Sequence, residues 1–205
     1  MAEYIIEACV ESLEEAESAV NKGAHRIELC SDLDNGGLTP EKKLIFECLR
    51  VLKIPVKVMI RPRSGNFQYN HEDIHEIKRN LMICQNLGVD HIVFGANKNN
   101  RLDIELIRDV AQWASPMSIT IHKAIDVSHD PLNDIEALKS IRNVNAILSS
   151  GQKATALEGS YMLNEMLKIC DKRFELIPAG KITVQNLKEV SNNVKAKAFH
   201  GRKIV

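Results

Sequence analysis

The chain has 205 residues, with 27 Lys+Arg balanced by 27 Asp+Glu, and 44% of it is hydrophobic. That is enough apolar material for a sizeable core, and the neutral charge argues against the basic surplus that nucleic-acid binding needs. No apolar run nears the roughly 18 residues of a membrane span. Met1-Ala2-Glu3-Tyr4 lacks the basic-then-apolar pattern of an export signal, so a cytoplasmic protein with no membrane partner is expected.

The five cysteines are odd in number and show no CxxC spacing, so neither a disulfide framework nor a standard zinc site is indicated. Cys48, Cys84 and Cys170 fall in helical patterns and read as small apolar residues.

Short apolar strands alternate with amphipathic helices from end to end. Tyr4–Val10 reads as a strand, and Ser12–Lys22 as a helix with Ser12 and Glu15 forming a capping box and Gly23 closing it. Strand His25–Ser31 precedes helix Pro40–Leu52, and strand Val56–Arg61 precedes helix Glu72–Leu87, which Gly88 ends. Then follow strand His91–Ala96, helix Asp103–Ala114, strand Met117–Ile125 and helix Pro131–Ile141. Strand Ala146–Ser150, helix Gly159–Asp171, strand Glu175–Ala179, helix Val184–Ser191 and strand Ala196–His200 complete the series. The stretch Asn21-Lys22-Gly23 leading into His25–Cys30 is echoed by Asn86-Leu87-Gly88 leading into His91–Gly95.

Strict alternation implies a parallel sheet with right-handed crossovers, and eight such strands close into a TIM-type (β/α)8 barrel. An open doubly wound sheet is disfavoured because Cys9-Val10-Glu11-Ser12 stands where a G-x-G-x-x-G turn would follow the first strand. No linker-like stretch divides the chain, so residues 1–205 are expected to form a single domain. Val205 ends the chain just after the last strand, so the eighth outer helix is expected to be missing. The apolar flank left beside strand eight predicts a homo-oligomer, a dimer or a tetramer.

Alternate strand residues point into and out of a barrel. Ile27, Leu29, Val58, Ile60, Ile119 and Ile121 must meet the helices, so Glu7, Arg26, Glu28, Lys57, Arg61 and His122 are predicted to point inward. Arg26 and Lys57 sit early in their strands and read as an internal ion-pair network. Glu7, Cys9, Glu28, Cys30, Arg61, Arg63 and His122 sit late, at the C-terminal mouth where such barrels place their sites, and Asp126, Ser149, Ser150, Gln152 and His200 join them from the following turns.

Long segments resemble the copper homeostasis protein CutC family. They include Glu7-Ala8-Cys9-Val10-Glu11-Ser12, Gly23-Ala24-His25-Arg26-Ile27-Glu28-Leu29-Cys30-Ser31 and Gly36-Gly37-Leu38-Thr39-Pro40. Pro55–Phe67, Val93-Phe94-Gly95, His122-Lys123-Ala124-Ile125-Asp126 and Ser149–Gly159 continue the match over nearly the whole chain. The resemblance implies a TIM barrel, a cytosolic location, oligomer formation and a role in copper tolerance or Cu(I) handling, with Cys9 and Cys30 as the candidate copper ligands. Two features depart from the family pattern. Ile177-Pro178-Ala179-Gly180-Lys181 replaces a run of three glycines, which weakens the case for an anion-binding backbone nest there, and Lys123 replaces an Arg.

Two functions fit these residues. In the first, Cys9 and Cys30 end adjacent strands about 4.8 Å apart and hold Cu(I), with His200, His122 or Met59 as a further donor. In the second, an enzyme of the lyase, isomerase or hydrolase class binds a small anionic substrate through Arg61, Arg63, Ser150 and Gln152, with Glu7, Glu28, Arg61, His122 and Asp126 as catalytic groups. His71 and His75, four apart on the third helix, read as a solvated face.

Overall fold

A computed structural model describes residues 4–205; the acidic start Met1–Glu3 lies outside the described residues. Eight parallel strands form a ring: β1 (Ile5–Val10), β2 (Arg26–Leu29), β3 (Val56–Met59), β4 (His91–Phe94), β5 (Ser118–Ile121), β6 (Val144–Ser149), β7 (Glu175–Pro178) and β8 (Ala198–Gly201). Their order is β8-β1-β2-β3-β4-β5-β6-β7. Among the described residues no ladder joins β7 to β8, so the barrel is nearly closed, with one unladdered seam.

Among the described residues seven helices surround it: α1 (Leu13–Asn21), α2 (Lys42–Val51), α3 (His71–Asn86), α4 (Ile104–Ala114), α5 (Pro131–Leu138), α6 (Ser160–Ile169) and α7 (Leu187–Asn193). Among the described residues no helix follows β8, so they form a TIM-type barrel without the eighth outer helix. Ile27, Leu29, Val58, Ile60, Ile119 and Ile121 fill the layer between strands and helices, which leaves the polar face of each strand to the lumen.

The local chemistry explains where elements start and stop. Ser12 caps α1 by accepting from Glu15 N, but the Glu15 carboxylate accepts from Glu11 N rather than closing the box on Ser12. A reciprocal capping box stands at α3 instead, between Asn70 and Asp73. The fifth strand ends at Ile121, four residues short of the predicted Ile125, because His122 Nδ1 accepts from Ala124 N and turns the chain into a 3-10 turn, Lys123–Val127. The seventh helix starts at Leu187 rather than Val184, whose N–H donates to Lys203 O in the C-terminal tail. A hairpin of Asn97–Lys98 and Arg101–Leu102, absent from the sequence reading, turns on Asn99 and Asn100, both left-handed.

The expected apolar flank beside strand eight is filled from within. Phe199, on the outer face of β8, is fully buried and meets Tyr4 edge-on at 5.3 Å.

Candidate functional site

Register determines what shares a level in the lumen. Glu7 pairs with Arg26 and with His200, Cys9 with Glu28, and Glu28 with Lys57. Glu7, placed at the mouth by the sequence reading, lies in the network beneath it. Its Oε2 is 2.5 Å from Arg26 Nε and 2.8 Å from Lys57 Nζ, and its Oε1 is 2.9 Å from His200 Nδ1. Arg26 also donates to Glu175 at 2.9 Å, and Lys57 to Thr120 Oγ1 at 3.1 Å. Burial alone would raise the Glu7 pKa, but Lys57, His200 and Arg26 hold it well below the ordinary carboxylate value. His91, 2.8 Å from Thr120 Oγ1, is pushed down to about 3 by burial and the Lys57 charge, so it is neutral. Beside this network, Ala146, Ile177 and Ala198 fill the lumen with apolar atoms.

Above the network a cavity of about 350 Å³ opens at the C-terminal mouth, lined by Cys9, Glu28, Cys30, Arg61, His122 and His200 among others. Cys9 Sγ and Cys30 Sγ are 3.8 Å apart, and Cys30 Sγ is 3.6 Å from Glu28 Oε2. Met59 and Leu33 pack against the two thiols. The ligand atoms of Cys9, Glu28 and Cys30 all lie within 4.8 Å of one another, a spacing that one metal ion can span. Hydrogen bonding to Cys30, then burial and the Glu28 charge, raise Cys9 well above the ordinary thiol value. The Cys9 contact pulls Cys30 down, but burial and Glu28 outweigh it and push Cys30 up to about 11. Both groups are therefore thiols at neutral pH.

His200 joins the two levels, with Nδ1 on Glu7 and Nε2 3.5 Å from Glu28 Oε2. Burial opposes its protonation, but the Glu28 charge and hydrogen bonds with Cys9 and Glu7 raise its pKa well above the ordinary value. The ligand atoms of Glu7, Glu28 and His200 also lie within 4.8 Å of one another, a second cluster of metal-ligating type that shares Glu28 with the first.

On the far side of the mouth, His122 Nδ1 accepts from Ala124 N at 3.1 Å, and burial with the Arg61 charge pushes the ring down to about 3. Its proton therefore sits on Nε2, which is buried without a hydrogen-bond partner. The ring packs on Phe67 at 4.7 Å, and Gly95 is required beneath it, since a Cβ there would lie 2.7 Å from the imidazole. Arg61 is buried, donating through Nη1 to Asn35 O and Gly37 O and through Nη2 to Gly65 O, while Nε has no partner. Gly36, at φ +88°, keeps a Cβ away from its guanidinium.

The remaining sequence candidates stand apart from the cavity. Arg63 grips Asp73 through Nε at 2.9 and 3.1 Å and donates to the carbonyls of Ser64, Asn66 and Gln68. Asp126 accepts from Ser149 Oγ and from the backbone N–H groups of Ser150 and Gln152, and Ser150 Oγ is 2.8 Å from its Oδ2. Gln152 Nε2 donates to Ser128 O. These residues pin the turns after β3 and β6 rather than facing the lumen. The cavity also takes in Phe67, Gly36 and Lys181, to which the sequence reading gave no role. Loops carry no strand periodicity to reveal them, although the paired Gly36-Gly37 marks a close approach.

The CutC family profile matches residues 4–205. The chain belongs to the CutC family. The human relative named copper homeostasis protein cutC homolog is 35% identical over 198 residues, which are 96% of this chain and 72% of that protein. The family protein CutC of Histophilus somni (strain 2336) is 34% identical over 196 residues, 95% of this chain and 80% of that one. The crystal structure titled putative copper homeostasis protein CutC from Streptococcus agalactiae superposes with a TM-score of 0.92 at 28% identity, covering 98% of this chain and all of that one. The N-(5'-phosphoribosyl)anthranilate isomerase of Pyrococcus furiosus, TM-score 0.62 at 16% identity over 96% of this chain and 86% of that one, shares the fold alone.

Proposed function

We propose that this CutC-family protein takes up Cu(I) as cargo at the barrel mouth through Cys9 and Cys30, as a cytoplasmic homo-oligomer. The observation that carries the reading is a pair of buried thiols 3.8 Å apart beside the Met59 thioether. A soft, weakly solvated ion suits such donors. With metal–thiolate bonds of about 2.3 Å, sulfurs 3.8 Å apart subtend an angle of about 110° at the ion. That angle leaves a third position open, for which Met59 or the unpartnered Glu28 Oε1 is at hand. The human relative's name supports the choice of metal. Support for assembly comes from Phe46 on α2 and Met82 on α3, both exposed apolar side chains.

Both thiols are protonated at neutral pH, so loading releases protons and affinity rises with pH, by up to about 100-fold per unit when both are lost. The test is titration of Cu(I) against a Cu(I)-selective chelator in the reduced protein and in the Cys9→Ser/Cys30→Ser double variant. The parent is expected to compete with the chelator and the double variant to fail. Equal affinity in the two proteins defeats the thiolate site. A solution mass equal to one 23.0 kDa chain defeats the assembly reading.

A further inference from the structure

Charge in the lumen closes without Arg61. The carboxylates Glu7, Glu28 and Glu175 meet the cations Arg26, Lys57 and His200 in one connected set of ion pairs. Arg61 takes part in no ion pair among the described residues, and its only partners are three carbonyl oxygens. A guanidinium with five N–H donors and three of them used remains a buried positive charge in want of an anion. Beside it, across the Phe67 ring, stands His122 with an Nε2–H that meets nothing. Both residues are less than one-tenth exposed, and both line the mouth cavity.

Buried polar groups are rarely left without partners, and two orphans on one wall of a single cavity need one common explanation. We infer that this wall of the mouth, formed by Arg61, His122 and Phe67, is a binding site for the oxyanion of a small organic molecule, a carboxylate or a phosphate. Arg61 supplies the charge and His122 Nε2–H a directed hydrogen bond. Phe67 packs beside both, and the exposed Lys181 adds a cation to the lining, while Lys123 is turned to Asp126 at 3.9 Å. A cavity of about 350 Å³ suits a small metabolite rather than a peptide or a nucleic acid. The site uses none of the sulfur donors, so it does not depend on the copper reading and is open to test alongside it.

The electrostatics favour an anion specifically. Arg61 already disfavours a proton on His122, so the ring stays a neutral donor while the guanidinium holds the charge. A bound oxyanion completes both, much as a carboxylate completes the arginine of an ordinary buried pair.

The experiment uses the reduced, full-length protein with ¹⁵N-labelled histidine, titrated in separate arms with inorganic phosphate and with malate. Binding is expected to move the His122 Nε2 resonance saturably in at least one arm, and the arm that moves it names the oxyanion. His122→Phe, which keeps a ring against Phe67 and Gly95, is expected to weaken binding by about ten- to a hundredfold, the worth of one hydrogen bond to a charged group. Arg61→Lys keeps the charge, loses the fork and is expected to weaken it as well. Cys9→Ser/Cys30→Ser is expected to bind the anion as the parent does. A His122 resonance unmoved by either probe overturns the proposal, as does equal affinity in the parent and a folded His122→Phe.

Discussion

The two levels of the barrel lumen are built from the same kinds of residue and behave oppositely. In the lower level Glu7 is contacted by Arg26, Lys57 and His200, and each of those charges has an acid within ion-pair distance. At the mouth, Arg61 has no acid, and His122 Nε2 and Glu28 Oε1 have no partner. Buried charge is tolerated only when compensated, so the lower level is a finished structural element and the mouth is an unfinished one awaiting a ligand. The presence of charge inside a barrel is therefore a poor marker of function; what separates the two levels is that Glu7 and Arg26 face each other as counter-charges while Arg61 faces none among the described residues.

The sharpest way to break this contrast is Glu7→Gln. It takes the shared acid from three cations and leaves Lys57 with no carboxylate within ion-pair distance, and an unfolding free energy lower by about 3–5 kcal/mol is expected in urea titrations. A cost under about 1 kcal/mol would mean that the lower level is as open as the mouth.

Acid titration sharpens the contrast next. His91 and His122 both have folded pKa values of about 3, below the ordinary histidine value. The unfolded chain therefore binds more protons, and stability falls as pH drops below about 6.5. From about pH 5.5 to 4.5, where the unfolded ring is fully protonated and the folded one is not, a slope approaching about 1.4 kcal/mol per unit is expected for each histidine, and His91→Gln should remove one share. His200, raised rather than lowered, is protonated in both states over that window and adds nothing. A flat profile in the parent would show that neither ring is held neutral.

The smallest effect belongs to a residue outside both levels. Arg63→Lys loses the Nε–H shared between the two Asp73 oxygens at a partly exposed site, for about 1 kcal/mol or less, and should leave Cu(I) and anion titrations unchanged. A change in either titration would return Arg63 to the mouth.

Legibility followed the physics of each element. The alternation of apolar residues in β1, β2, β3 and β5 was enough to turn Glu28, Lys57 and His122 inward, because a two-residue period leaves each side chain one face. Cys9 and Cys30 were readable as neighbours because they end adjacent strands. Arg63, Asp126, Ser150 and Gln152 carry the same chemistry, but they lie in turns, where no period says which way a side chain points, and their partners are local backbone groups. Glu7 was readable as inward but not as buried beneath the mouth, because its depth follows from the stagger of β1 against β2 and β8.

The amino-acid sequence by itself determined the barrel, the polar lumen and the two thiols on neighbouring strand ends, since these follow from periodicity and chain order. Only the tertiary structure decided which charges were already compensated. Compensation depends on separations of a few ångströms between side chains brought together from distant parts of the chain, such as Glu7 and His200, and no local pattern encodes them.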